Sequence, residues 1–127
     1  MNVKTDTKEK FTVITPLEKE LPVNMTEELS QLLVEYLQKD IPHVILNLEQ
    51  VNSMEEKSGE ILASTQQKFY ESNCSFVICA LQKNVEEKLD REELLELMNV
   101  TPTESEAWDI VQMEEIEREL LGDEEDG

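Results

Sequence analysis

Glu55, Glu56, Lys57 and Ser58 bring two carboxylates, an amine and a hydroxyl together at one junction. They lie in the segment His43–Gly59, HVILNLEQVNSMEEKSG, where an apolar strand pattern runs into an acidic turn and then a helical pattern. A strand that empties onto a helix N-terminus is a common place for an α/β protein to put its working site. Such groups can do acid–base chemistry, carry a signal, or simply start a helix. The last reading has a concrete form. Ser53-Met54-Glu55-Glu56 is a capping-box pattern, with Ser53 as the N-cap and Glu56 as N3, worth about 1 kcal/mol to the helix start.

Catalysis finds little support elsewhere in the chain. His43 is the only histidine. It follows Pro42 at the N-terminal end of its strand, away from the end where sites usually form, so no Ser-His-acid or Cys-His constellation can be assembled around it. Carboxylate pairs are abundant, but in so acidic a chain they arise by chance. The three glycines form no phosphate-binding loop. A phosphoryl-accepting receiver domain wants an aspartate at the end of the central strand, where this chain has Asn47 and Glu49. Cys74 and Cys79 are five apart on an extended segment, point to opposite faces and do not readily pair. With no CxxC and no metal spacing, the chain is expected to be a non-enzyme without metal or cofactor.

The charge narrows the partners. A net charge of −19 and a pI near 4.2 argue against nucleic acid and against docking on an anionic membrane, and leave room for a protein with a basic face. The 127 residues, 39% of them hydrophobic, suit one domain with one core. The N-terminal MNVKTDTKEK lacks an apolar stretch for export. The longest apolar run, Phe76–Leu81, is too short to cross a bilayer. A cytoplasmic location with no membrane insertion is expected.

The elements that must position the junction follow from patterning. Asn2–Asp6 and Phe11–Thr15 read as a hairpin around the polar turn Thr7–Lys10. Pro16–Asn24 is a connector. Thr26 is the expected N-cap of a helix with Glu27 and Glu28 in its first turn and Leu29, Leu32, Leu33, Tyr36 and Leu37 on one face. Val44–Leu48 is a strand apolar on both sides, so helices should cover both faces; Asn47 within it needs hydrogen-bond partners. Ile61, Leu62, Thr65 and Phe69 mark a second helix. Phe76–Leu81 is another buried strand, Val85–Leu89 a short helix, Leu94–Met98 its continuation or restart, and Asn99–Thr101 a brief edge strand. Thr103-Glu104-Ser105-Glu106 is a second capping box. Its helix carries Ala107, Ile110, Val111, Met113, Ile116 and Leu120 and is expected to stop at Gly122. Residues 122–127 read as an acidic disordered tail to a single domain over 1–121. Two buried strands joined through a helix imply a right-handed parallel crossover. The expected fold is α/β: a small mixed sheet of four to five strands packed with about four helices.

HVILNLEQVNSM resembles the central motif of STAS domains of the anti-sigma factor antagonist type, in which a strand like hVILDLS-x-V leads through a turn to an Asp-Ser-Ser-Gly motif opening a helix. FVICAL at Phe76–Leu81 resembles the family's next strand, Gln82–Glu86 stands in place of its short helix, and TPTESEA at Thr101–Ala107 resembles the segment opening its last helix. The resemblance implies a STAS-like domain that binds a serine kinase doubling as an anti-sigma factor, and so controls sigma-factor availability. It also implies a switch by phosphorylation of a serine in that motif. This chain departs there. Aligned without gaps, Glu55 takes the aspartate position, Glu56 the phosphoacceptor, Lys57 the second serine and Ser58 the glycine. A one-residue insertion instead matches Glu56-Lys57-Ser58-Gly59. The ungapped register is preferred on spacing to FVICAL, and makes Glu56 either a partial phosphomimic or a helix-starting residue in a degenerate site. The expected partner surface is Met54, Glu55, Glu56, Lys57, Ser58, Gly59 and Glu60, with Gln67 further along the helix. Because the same scaffold serves in signalling and transport assemblies, a binding subunit without a phosphoswitch is the alternative.

Overall fold

A computed structural model describes residues 1–126, with side chains as far as Leu121. Seven strands, β1 (Val3–Thr7), β2 (Thr12–Pro16), β3 (Glu20–Leu21), β4 (Val44–Asn47), β5 (Ser53–Met54), β6 (Phe76–Cys79) and β7 (Val100–Thr101), alternate with four helices. These are α1 (Val23–Glu35), α2 (Glu56–Glu71), α3 (Lys83–Arg91) and α4 (Glu104–Asp126). The main sheet has the order β1-β2-β4-β6-β7. Only the β1–β2 hairpin is antiparallel; β2–β4, β4–β6 and β6–β7 are parallel. The mixed five-stranded sheet and four helices agree with the expected α/β architecture.

Alternation along the central strands divides the core. Ile14, Val44, Leu46, Leu48, Phe76 and Ile78 join Leu29, Leu33, Leu62, Phe69, Val85 and Leu89 in a layer beneath α1, α2 and α3. Val13, Ile45, Val77 and Cys79 face the other way and pack with Phe11, Ala107 and Val111 beneath α4. Phe11 meets Trp108 edge-on with ring centroids 5.3 Å apart. Each residue of β4 and β6 is buried, as strands sandwiched between helix layers must be.

Asn47, the polar exception in β4, has a partner at each end of its amide. Its Oδ1 accepts from Glu49 N at 2.9 Å, and its Nδ2 donates to Glu104 Oε1 at 3.1 Å. The other Glu104 oxygen accepts from Trp108 Nε1 at 3.2 Å. The amide thus ties the C-terminal end of the central strand to the first turn of α4, which Thr103 opens by accepting from Glu106 N at 3.3 Å. Burial, with the carboxylates of Glu104 and Glu49 adding to it, pushes the Cys79 thiol up to about 12, so it remains a neutral core side chain. Both cysteines are free.

Several local expectations are corrected. Thr26 is not an N-cap: α1 starts after Pro22, and the Thr26 hydroxyl lies inside its first turn, 2.9 Å from Pro22 O. Pro22 is itself the N-cap, its φ fixed near −69° by the ring, and α1 begins four residues upstream of the expected position. Ser53 is not an N-cap either, because Ser53–Met54 pairs in parallel with Glu20–Leu21 as a separate two-stranded sheet. Gly122 does not end α4, which continues to Asp126; a lone glycine costs a helix about 1 kcal/mol relative to alanine and does not by itself turn the chain. The expected tail, 122–127, falls on residues whose side chains, and for Gly127 the backbone also, lie outside those described.

His43 is held in place at the N-terminal end of β4. Its Nδ1 accepts from Ser75 N at 3.0 Å, and Nε2 lies 3.5 Å from Arg118 Nη2 on α4. Partial burial, then the Arg118 guanidinium, lower its pKa from the ordinary value; Glu115 and Glu114 oppose them weakly. The folded state therefore binds a proton less readily than the unfolded chain. Its contribution to stability is complete above the unfolded histidine pKa of about 6.5 and is lost as pH falls through the lower folded value. Urea unfolding of the wild type should lose stability over the first unit below pH 6.5, above the range of ordinary carboxylates, and His43→Gln should flatten that segment of the curve.

Candidate functional site

The junction is built where two helices begin. β4 ends at Asn47 and Leu48 N donates to Cys79 O at 3.0 Å. The chain then turns through Glu49–Asn52 into the short strand β5. Asn52 N and Ser53 N donate to Lys19 O at 2.7 and 3.3 Å, and Glu55 N donates to Leu21 O at 3.2 Å. The segment preceding α1 and the segment preceding α2 are thereby laced together, and both helices open from the same small sheet.

Glu55 is the N-cap residue of α2, yet its side chain caps the other helix. Oε1 accepts from Val23 N, the first amide of α1, at 3.1 Å, while no side-chain cap bond forms to α2 itself. A carboxylate between two helix N-termini meets two partial positive ends, which stabilises it there. Glu56 follows as the first residue of α2, again where negative charge suits the dipole.

Ser58 occupies the buried centre of the junction. Its hydroxyl donates to Leu21 O at 2.9 Å and lies 2.9 Å from Thr26 Oγ1. One side chain therefore connects β3, α1 and α2. Gly59 is buried next to it. A Cβ there would lie 2.7 Å from Leu89 Cδ2, 2.8 Å from Leu94 Cδ1 and 3.2 Å from Glu92 Oε2. With no side chain at Gly59, the Leu89 and Leu94 methyls pack directly against α2.

The seven residues expected to form a surface therefore separate into two sets. Glu55, Glu56, Lys57 and Glu60 are exposed, as is Gln67 farther along α2. Met54, Ser58 and Gly59 are buried, and the expectation that they belong to an accessible surface is corrected: the two short strands and α3 cover them. Sequence reading missed the contribution of β3 and the residue that follows it, which place Glu20 and Pro22 beside Ser53 and Glu55 at the same edge. The prolines at 16 and 22 marked a connector there and gave no sign that Leu21 anchors it. Among the described residues, no group of three or more His, Cys, Asp or Glu side chains stands close enough to hold a metal ion, and no helix is long and apolar enough to cross a membrane.

A family model for the STAS domain matches residues 2–107, from the first strand to the start of α4. The chain belongs to the STAS domain family. Solved structures agree on the fold. A Thermotoga maritima protein described as a candidate anti-sigma factor antagonist superposes with a TM-score of 0.77 at 20% identity, over 87% of this chain and 94% of that one. The anti-sigma factor antagonist SpoIIAA of Bacillus, in its unphosphorylated form, gives 0.68 at 17% identity over 87% and 96%. A murine anion transporter of the Solute Carrier 26 family gives 0.68 at 15% identity, covering 82% of this chain but 18% of the transporter. No curated protein sequence matches. Within the STAS domain, the α2 junction is the conjunction of strand exit and helix start that the motif HVILNLEQVNSM marks.

The Gly59 contact yields a direct test. Gly59→Val adds branched bulk where the Leu89 and Leu94 methyls would have to shift, and should destabilise the domain by about 1–3 kcal/mol in urea unfolding. Leu94→Ala should couple favourably with it in a double-mutant cycle, because Leu94 Cδ1 is one of the two atoms displaced.

Proposed function

We propose that this STAS domain is a regulatory binding module that engages a kinase-like anti-sigma factor and so controls sigma-factor availability, in the cytoplasm and without turnover of a substrate. Its docking face is the exposed start of α2, Glu55, Glu56, Lys57 and Glu60. A partner with a basic contact face complements it. The family membership and the solved antagonists of the same fold support this reading.

One observation carries the further claim that the face has no phosphoswitch. The only hydroxyl in the Met54–Gly59 stretch is Ser58, and it is fully buried and hydrogen-bonded to Leu21 O. Transfer of a phosphoryl group to it would require opening the junction. The packing of Gly59 also supports a choice of register. The family motif ends in glycine, and a Cβ at Gly59 would have to displace the Leu89 and Leu94 methyls. Matching it to that glycine admits one inserted residue and aligns Glu56-Lys57-Ser58-Gly59 with Asp-Ser-Ser-Gly. Lys57, not Glu56, then occupies the phosphoacceptor position, and Glu56 serves the helix N-terminus instead of imitating a phosphate. A second reading, a scaffold subunit of a signalling or transport assembly, is favoured by the likeness to the transporter's domain and predicts co-purification with membrane components.

Incubation with the partner kinase and ATP should leave residues 53–58 unphosphorylated by mass spectrometry while the complex still forms. Lys57→Ser should become a phosphate acceptor and Glu56→Ser should not; the opposite pair of results restores the ungapped register. Reversing both Glu56 and Glu60 to lysine should weaken partner binding about tenfold or more, and unchanged affinity would remove this face from the interface.

A further inference from the structure

The C-terminal half of α4 is amphipathic the wrong way round. Its first half is ordinary: Ala107 and Val111 are fully buried against the sheet. Beyond Val111 the sheet-facing side carries charge. Glu115 pairs with Lys10 at 3.5 Å, Arg118 reaches His43, and Glu114 accepts from Asn99 Nδ2 at 3.5 Å. The outward side carries Met113, Ile116 and Leu120, which are 58, 56 and 60% exposed. At 100° per residue these three form one stripe on the side of the helix opposite Ala107 and Val111. Exposed apolar residues scattered singly need no explanation, but three in register on one face do.

Met113, Ile116 and Leu120 have the a-d-a spacing of a helix–helix seam over one heptad. With Met113 and Leu120 at successive a positions and Ile116 at d, the flanking e and g positions fall on Glu117, Gln112 and Glu119. Upstream the a and d positions hold Glu106 and Asp109, so among the described residues the apolar stripe is confined to this heptad. Flanking charges select the partner of such a seam. A second copy of this chain would set glutamate against glutamate across it and bring two chains of net charge −19 together, which disfavours self-pairing. An anionic membrane is disfavoured for the same reason.

From this arrangement we infer that the outer face of α4 is a second docking surface, for an amphipathic helix of another protein that has an apolar seam flanked by lysine or arginine. It lies on the opposite side of the sheet from α1, α2 and α3, so the inference does not rest on the function proposed for the start of α2. A domain with two such faces can hold two partners at once.

The test uses the full chain and two synthetic peptides of one composition. One has leucine at a and d and lysine at e and g over three heptads; the other is a scramble without the seam. Fluorescence anisotropy should show the seamed peptide binding at least about tenfold more tightly. Ile116→Gln combined with Leu120→Gln should abolish that preference, with the circular dichroism and Tm of the domain unchanged. Glu117→Lys combined with Glu119→Lys should transfer the preference to a glutamate-flanked peptide. Equal binding of seamed and scrambled peptides, or a preference that survives the glutamine pair, would overturn the proposal. So would a dimer in sedimentation equilibrium that the glutamine pair dissolves, or binding to lipid vesicles that the same pair removes.

Discussion

Three parallel strands with apolar side chains on both faces constrain everything else in this molecule. Val13 and Ile14, Ile45 and Leu46, and Val77 and Ile78 are adjacent pairs on β2, β4 and β6, and successive residues of a strand point to opposite sides. Neither side can face water without exposing several large side chains, so helices must lie on both. Parallel pairing in turn requires a crossover between β4 and β6, and α2 is that crossover. The strand-to-helix junction is therefore a product of the sheet's composition. Its position beyond the C-terminal end of β4 follows from the direction in which a parallel strand must exit.

Once the junction is fixed there, two helix N-termini come together, since α1 and α2 both open from the small β3–β5 sheet. Much of its acidic character has an electrostatic origin: Glu55 caps α1, and Glu56 begins α2. Beneath them the Ser58 hydroxyl donates to Leu21 O, and the leucine side chains at 89 and 94 pack where Gly59 has no Cβ. Glu55, Glu56 and Lys57 are exposed and the next two residues, Ser58 and Gly59, are buried, so five residues hold both surface charge and anchor.

The parts legible from sequence are those that repeat. Val44, Leu46 and Leu48 on one side and Ile45 and Asn47 on the other were readable from alternation, and Leu62, Thr65 and Phe69 from helical spacing. Asn47 was readable as a group needing partners, but not as the link to Glu104, fifty-seven residues away. The short strands β3 and β5 were not readable, because two residues have no period. Ser53 and Thr26 were misplaced for a shared reason. Each is a good N-cap by type, but backbone pairing claims Ser53 for a strand, and Pro22 starts α1 before Thr26 is reached. Capping came instead from Glu55 across 32 residues, a long-range bond that no local motif contains. The register of the family motif likewise depends on whether the space beside Gly59 is open or filled, which is a tertiary fact.

The lacing of the junction has a consequence for the thermodynamics of recognition. Amides of Asn52, Ser53, Glu55 and Ser58 are all already bonded within the domain, so the backbone under Glu56, Lys57 and Glu60 has its geometry before anything docks. On the proposed function, a partner would freeze only the rotamers of a few long side chains and meet a platform whose ordering entropy was settled at folding. Association with such a platform resembles the fit of two rigid bodies steered by charge. Its speed is set by the long-range field of an acidic surface and falls with added salt.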